Sequence, residues 1–368
     1  MKQKLDSLDA VRAIMCLAVL SYHTYLTFLG QLGLSVFFIM SGFLSAYNYY
    51  DRLEGARLGA VGSFKFAARR MAKLYPLHIL MMLVPAAMQL YGVVHGLLPV
   101  KSLIGRIAAN VLLIQAWIPD STYYYSLNGT TWYLSAMLFC YFMLPVIVRA
   151  MRRYRSTRTA WLVIGAAFIL QLASGEGALR IYTAIAAPDE YLQGEFAHWF
   201  TRIFPIYRLG DFVAGCNLAY IFLNRAPRAE NVRAATAAEC AAWLLIIASE
   251  IFFEREQCAI YLSPATIFMP ATLLLIYTFA LGEGRVSAAL TNRFTRYVSA
   301  RSADVYLIQA VVIMVVSVFV ERLHVSGLIM RLTYVICAVA LTFLLAEASC
   351  RVRAIMAARR SARRVREG

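Results

Sequence analysis

Apolar stretches of about 17 to 23 residues recur along the whole chain, the length an α-helix needs to cross roughly 30 Å of hydrocarbon. They fall at 8–28, 31–50, 75–94, 132–150, 160–174, 203–223, 235–253, 265–282, 302–320 and 328–348. In lipid every backbone N–H and C=O must be satisfied inside its own segment, so each stretch is expected to be a helix. The expected fold class is therefore an all-α polytopic membrane protein. It has about ten transmembrane helices in one domain over 1–348, followed by a basic tail at 349–368. Composition agrees, with 61% hydrophobic and 15% charged residues and a mean hydropathy of +0.63, against about half apolar and a quarter charged for a soluble domain. The basic opening MKQKLDSLDAVRAIMCLAVL lacks a small-x-small cleavage site and is read as a retained first span.

The distribution of Lys and Arg orients the spans, because cytoplasmic loops are enriched in them. With ten spans and both termini cytoplasmic, the inner segments hold 27 of the 36 basic residues. The weaker apolar segment at 103–119, LIGRIAANVLLIQAWIP, would reverse every later loop if it crossed. It is placed in the outer interface or as a re-entrant piece, and 175–202 is the one sizeable external loop. The net charge of +16 is accounted for by this topology, and nucleic-acid binding is not expected. Seven cysteines (Cys16, Cys140, Cys216, Cys240, Cys258, Cys337 and Cys350) show no CxxC and no paired spacing, so neither a disulfide framework nor a metal site is expected.

Two ionisable residues interrupt the first span. Arg12 and His23 are eleven residues apart, which on an α-helix is about 20° from the same azimuth and a rise of about 16 Å. They share one face, and an intramembrane charge costs about 2.5 to 3.5 kcal/mol even on the lenient scale, so that face is expected to meet a polar cavity. The bland alternative has Arg12 snorkelling to headgroups and His23 bonded to a neighbouring helix. Ser41 and Gly42 in the next span are small enough for close helix approach. In SFKFAARRMAKLYP, the residues Lys65, Arg69, Arg70 and Lys73 precede Pro76 on the cytoplasmic side, suited to anionic lipid headgroups or to the phosphates of a nucleotide-like ligand. Asn128 and Trp132 bring a polar and an aromatic group to the outer end of the fourth span, and Trp132 is either an interfacial belt residue or a stacking surface for a sugar. Arg208 and Asp211 lie three apart and can pair within their helix. Glu239 and Glu250 flank the seventh span and are placed in its interfaces.

These segments resemble those of the integral membrane acyltransferase-3 family, bacterial O-acyltransferases of surface glycans and related acceptors. LDAVRAIMCLAVLSYH is similar to the family's opening with its Arg-x10-His spacing, SVFFIMSGFLSAY to its FFVLSGFL, and FAARRMAKLYP to its RRxxRIYP. TWYLSAMLFCYFMLP and FPIYRLGDFVAGC resemble later family segments. There are three departures: Lys73 stands where an arginine is commoner, Ala136 and Met137 follow WYLS where many members carry glutamate, and Gln309 in DVYLIQA replaces a histidine.

The resemblance implies an enzyme of the bacterial cytoplasmic (inner) membrane that moves an acyl group, often acetyl, from acyl-CoA to a hydroxyl of a glycan or lipid-linked saccharide. His23 would be the catalytic base and Arg12 a donor-side organiser of the site. Arg69, Arg70 and Lys73 would hold the CoA phosphates, and Asn128, Trp132 and Arg208 are the candidate acceptor contacts. Acetyl-CoA or another acyl-CoA is expected as the donor substrate, with no tightly bound cofactor. The expected partners are that donor, the sugar acceptor and anionic membrane lipids. The rival reading is a proton-coupled secondary transporter or flippase using His23 as the coupling residue.

Overall fold

The computed structural model describes residues 5–26, 30–53, 58–186, 190–225, 231–255, 263–322 and 327–367. Cys258, Asp189 and Glu256 lie outside the described residues. Among the described residues fifteen α-helices are present and no strand. In chain order they are α1 (Asp6–His23), α2 (Gln31–Tyr49), α3 (Ala60–Met71), α4 (Tyr75–Val94), α5 (Val100–Val111), α6 (Ser121–Tyr124), α7 (Trp132–Met151) and α8 (Thr157–Ala186). There follow α9 (Glu190–His198), α10 (Pro205–Leu223), α11 (Val232–Arg255), α12 (Pro264–Leu281), α13 (Arg285–Leu290), α14 (Arg293–Glu321) and α15 (Gly327–Glu367). A 3₁₀ turn, Gln115–Trp117, follows α5, and a π turn, Trp199–Ile203, links α9 to α10.

Among the described residues, seven helices are long and apolar enough to cross a membrane: α2, α4, α7, α8, α11, α14 and α15. This is a multi-pass membrane protein. The expected spans at 8–28, 203–223 and 265–282 also coincide with helices, α1, α10 and α12, but these are more polar or shorter. The reason for α10 is its position. It is buried along nearly its whole length, so it faces protein on all sides and tolerates Arg208, Asp211 and Asn217, which a lipid-facing helix would not. Around α10 pack α2, α7, α8 and α12, while α1 packs on α14 and α14 on α15. The outer helices α4, α8, α11 and α15 leave much apolar surface exposed, as helices bathed in lipid do.

Three boundaries differ from the sequence expectation. The fifth expected span does not stop at residue 174 but continues, as α8, to Ala186, and a further helix, α9, occupies 190–198 of what was read as an external loop. An exposed Glu176–Arg180 pair four residues apart lies on that continuation. The segment 103–119, which was placed outside the spans, contains most of α5, a helix of twelve residues, about 18 Å at 1.5 Å per residue and too short to cross, followed by the 3₁₀ turn. The expected tail at 349–368 is not a separate element: α15 is one helix of 41 residues running through it.

The closest backbone contact in the bundle is between α2 and α10. A Cβ placed on Gly42 would fall on the carbonyl oxygen of Phe212, and one on Gly215 would fall on the carbonyl oxygen of Ile39. Cys216 Sγ also reaches the Gly42 carbonyl at 3.4 Å. The two helices run parallel, with Ser35 beside Arg208 and Tyr47 beside Phe222. Beside them α1 and α14 also run parallel: Arg12 Nη1 lies 3.3 Å from Ser299 Oγ, and Cys16 meets the Ser302 carbonyl. At the end of the bundle where α1 begins, the near end below, Glu239 of α11 accepts the backbone N–H groups of Gly284, Val286 and Ser287 at 3.0 to 3.1 Å. A carboxylate read as interfacial is therefore buried and caps α13. Asp304 of α14 pairs with Arg353 of α15 at the same end.

Because neither backbone can retreat without undoing the α2–α10 interface, Gly215→Val is expected to prevent assembly of the bundle, a loss above about 4 kcal/mol. Gly59, whose Cβ would meet nothing, is the control. Detergent-solubilised yield and thermal melting of the two variants check this.

Candidate active site

His23 is the last residue of α1, and the chain then turns back through Gly30 into α2. Gly30 is close-packed, since a Cβ there would strike the Tyr22 side chain. At this far end of the bundle His23, Tyr22, Gly30 and Leu34 line a cavity of about 370 Å³. Gln309 of α14 is the side chain facing the imidazole, although by distance and angle neither His23 Nδ1 nor Gln309 Oε1 completes a hydrogen bond. The position where this chain departs from the family's histidine is thus the one that meets the candidate base.

The segment before α7 forms a second wall. Leu127 adopts φ 59, a left-handed conformation that costs a non-glycine residue about 1 to 2 kcal/mol. The hydrogen bonds that follow hold it there. Asn128 Nδ2 donates to the Leu307 carbonyl at 2.7 Å, and Thr130 Oγ1 donates to the Tyr306 carbonyl at 3.1 Å. Tyr306 OH returns a bond to the Thr130 carbonyl at 3.0 Å. The loop and α14 are stitched together, which sets Thr130, Trp132 and Tyr306 on the cavity.

The third wall comes from the segment before α10. The indole of Trp199 donates to the Ala116 carbonyl at 3.0 Å, docking the π turn onto the 3₁₀ turn. One turn apart, His198 and Arg202 then reach the cavity together with Tyr125. Tyr125 OH and His198 Nε2 are 2.6 Å apart. Burial, aided by the neighbouring Arg202 charge, pushes His198 down to about 4, so its ring is neutral at neutral pH. Burial raises the Tyr125 hydroxyl to about 12.

The other sequence candidates fall into three places. Trp132 shares the cavity with His23. Asn128 lies directly behind it, with its amide engaged by α14 and by Thr130. Arg208 is fully buried behind Trp132: it pairs with Asp211 at 2.9 Å and lies 4.5 Å over Phe38, whose ring stacks on Trp132 at 6.4 Å. Arg12 does not reach the cavity; it is held at the near end by Asp9 at 3.0 Å and by Ser299. The shared Arg12–His23 face is the one packed on α14, and its His23 end lines the cavity.

Arg70 is also at the near end. Its guanidinium reaches Tyr49 OH and Ser45 Oγ, each at 3.4 Å, and lies over the rings of Tyr49 and Tyr141 at 5.1 and 4.8 Å. Arg69, Lys73 and Lys65 are exposed beside it. Ser45 stands eleven residues along α2 from the cavity residue Leu34, about 16 Å away. A larger hollow of about 540 Å³, between the start of α1, the end of α10 and α13, contains neither His23 nor Arg70 and is not the candidate site.

Of the cavity residues, His198, Arg202 and Tyr125 carry no signal in the sequence. Tyr306 does: it stands three residues before Gln309, hence on the same helix face.

The family model described as an acyltransferase domain matches residues 5–347. Acyltransferase MdmB of Streptomyces mycarofaciens is 26% identical over 249 residues, 67% of this chain and 58% of that protein, so the match spans little over half of the relative's length. No solved structure matches the chain. With a family match over nearly its whole length, and a histidine at the cavity in the place the motif assigns it, the chain belongs to the acyltransferase-3 family.

Proposed function

We propose that the protein is a ten-span, acyl-CoA-dependent O-acyltransferase of the bacterial inner membrane, with both termini cytoplasmic. It moves an acyl group, acetyl in the first place, to a hydroxyl of a glycan or lipid-linked saccharide on the outer side. Acyl transfer itself follows from family membership. The observation that carries the rest is the separation of two sites along one helix. His23 and hydroxyl side chains surround a cavity at the far end of α2, and the arginine cluster around Arg70 lies at its near end. The near end is the cytoplasmic one in the orientation set by Lys and Arg.

In this reading Arg70, fixed by Tyr49, Ser45 and Tyr141, and the exposed Arg69 and Lys73 hold the phosphates of acyl-CoA. The exposed cations also suit anionic lipid headgroups. Arg12, braced by Asp9 and Ser299, orders the helices on the donor side. The thioester reaches the His23 cavity, where a neutral imidazole takes the proton of the acceptor hydroxyl. The oxygen attacks the thioester carbonyl, the C–S bond breaks, and the imidazolium returns its proton to the departing CoA sulfur. Gln309 turns the imidazole toward the acceptor. Trp132 offers a stacking face, while Asn128 and Arg208 support the wall behind it. A proton-coupled transporter gains nothing from an arginine cluster held by aromatic rings, and the family match argues against it.

Three outcomes are expected. His23→Ala in vesicles with acetyl-CoA lowers acyl transfer by about 10² to 10⁴-fold while the protein still inserts and binds CoA; near wild-type turnover would remove His23 as the base. Arg70→Gln raises the KM for acetyl-CoA by about tenfold or more with a smaller change in kcat, since hydrogen bonds to charged groups contribute about 1.5 to 3 kcal/mol. Gln309→Leu lowers kcat on the order of tenfold with the donor KM unchanged, because the one polar side chain facing the imidazole is replaced by an apolar one. Steady-state kinetics with varied acetyl-CoA separates the last two.

A further inference from the structure

The half-buried residues in the middle of α2 fall on one stripe. Leu34, Phe37, Ser41 and Leu44 keep partial exposure while the residues between them are buried, a spacing of three and four that marks a single helix face. At Ser41 that face meets another helix: its Oγ is 3.4 Å from Tyr133 OH of α7. The Tyr133 ring lies 5.4 Å from that of Tyr306 of α14, and Tyr306 and Leu34 both line the His23 cavity. Tyr133 and Tyr306 are themselves half-buried, so accessible surface remains where three helices converge. The packing encloses it. Helix α1 lies on α2, α2 on α7, α7 on α3, α4 on α14 and α14 on α1, with α3 joined to α4 through residues 72–74. These helices close a circuit, and Tyr133 and Tyr306 meet across it.

The seam reaches the Arg70 cluster. Ser45, one turn of α2 from Ser41, is bonded by Arg70, and Tyr141, about two turns along α7 from Tyr133, lies under the same guanidinium. From Arg70 to His23 the side chains of Ser45, Ser41, Tyr133 and Tyr306 present uncharged hydroxyls, each able to donate and to accept.

We propose that this seam is the passage for the pantetheine arm of the donor, with Ser41 and Tyr133 as positioning residues that hydrogen-bond its amides and so bring the thioester to His23. This rests on the acyl-CoA reading and adds where the arm runs and what recognises it. A phosphate head, two neutral amides and a thioester match, in that order, a cation, a row of hydroxyls and an imidazole. Amides taken out of water need partners, and the Ser41–Tyr133 pair, long at 3.4 Å, exchanges its mutual contact for them at little cost.

The test uses the full-length protein in phosphatidylcholine vesicles. Ser41→Cys is treated with N-ethylmaleimide, and modification of the peptide carrying residue 41 is followed by mass spectrometry, which separates it from the native cysteines. Labelling is expected, and desulfo-CoA at about ten times its dissociation constant is expected to slow it about tenfold. Adenosine 3′,5′-bisphosphate, which has phosphates but no arm, is expected to leave the rate unchanged. Tyr133→Phe is expected to lower kcat with acetyl-CoA about tenfold, the loss of one hydrogen bond, with the affinity for the bisphosphate unchanged. Absence of labelling, no protection by desulfo-CoA, or equal protection by the bisphosphate overturns the proposal. If Ser41→Cys does not fold, Tyr133→Phe decides, and an unchanged kcat there overturns it. Binding of desulfo-CoA to the unsubstituted protein is measured first by saturation-transfer NMR: no binding removes the acyl-CoA reading itself, whereas binding without protection removes only the passage.

Discussion

The contact between the backbones of α2 and α10 is the constraint on which the rest of the molecule depends. Gly42 and Gly215 remove the side chains that would hold the helices apart, and each backbone packs on a carbonyl of the other. With that distance set, α10 occupies the bundle centre, where its ion pair is shielded from lipid. An isolated charge at that depth would be costly, and a paired one is retained only with a partner at good distance. Arg208 and Asp211 meet this condition at 2.9 Å. The same contact fixes α2, whose two ends carry different chemistry.

That division explains why the ionisable residues of α1 have unlike surroundings. Arg12 and His23 lie on one stripe, and both face α14, but a helix stripe some 16 Å long samples two depths of the bundle. At one depth the packing is closed by Asp9 and Ser299. At the other, a turn through Gly30 and a loop pinned by Asn128 leave space beside the imidazole. The α14 face supplies Ser299 to one and Gln309 to the other, so a single helix contact serves both.

The fold was readable in the sequence wherever burial in lipid imposes length and hydropathy, which holds for α2, α4, α7 and α11 within a few residues. It was unreadable where a helix obeys another rule. Past residue 174, α8 continues without an apolar signal, whereas α10 was found at 203–223 but read as an ordinary span, its polar residues explained only by the protein that surrounds it. Within the site, Arg12, His23 and the Arg70 cluster stood out as charges in the wrong solvent. His198, Arg202 and Tyr125 did not, because each is ordinary in an external segment. Their roles arise from the docking of Trp199 on Ala116, a tertiary contact with no local pattern. Glu239 was visible but misread: only the packed structure reveals three backbone N–H groups converging on it.

Arg208 touches the cavity only through intermediates: its guanidinium bears on Phe38, and Phe38 bears on Trp132. A genetic screen for lost acylation would recover Arg208 as readily as a residue that handles substrate, because removing it strands Asp211 in the bundle interior and slackens the aromatic wall. Suppressors that restore function should then appear at Asp211 or around Phe38, behind the cavity wall, and their location would mark the residue as a buttress.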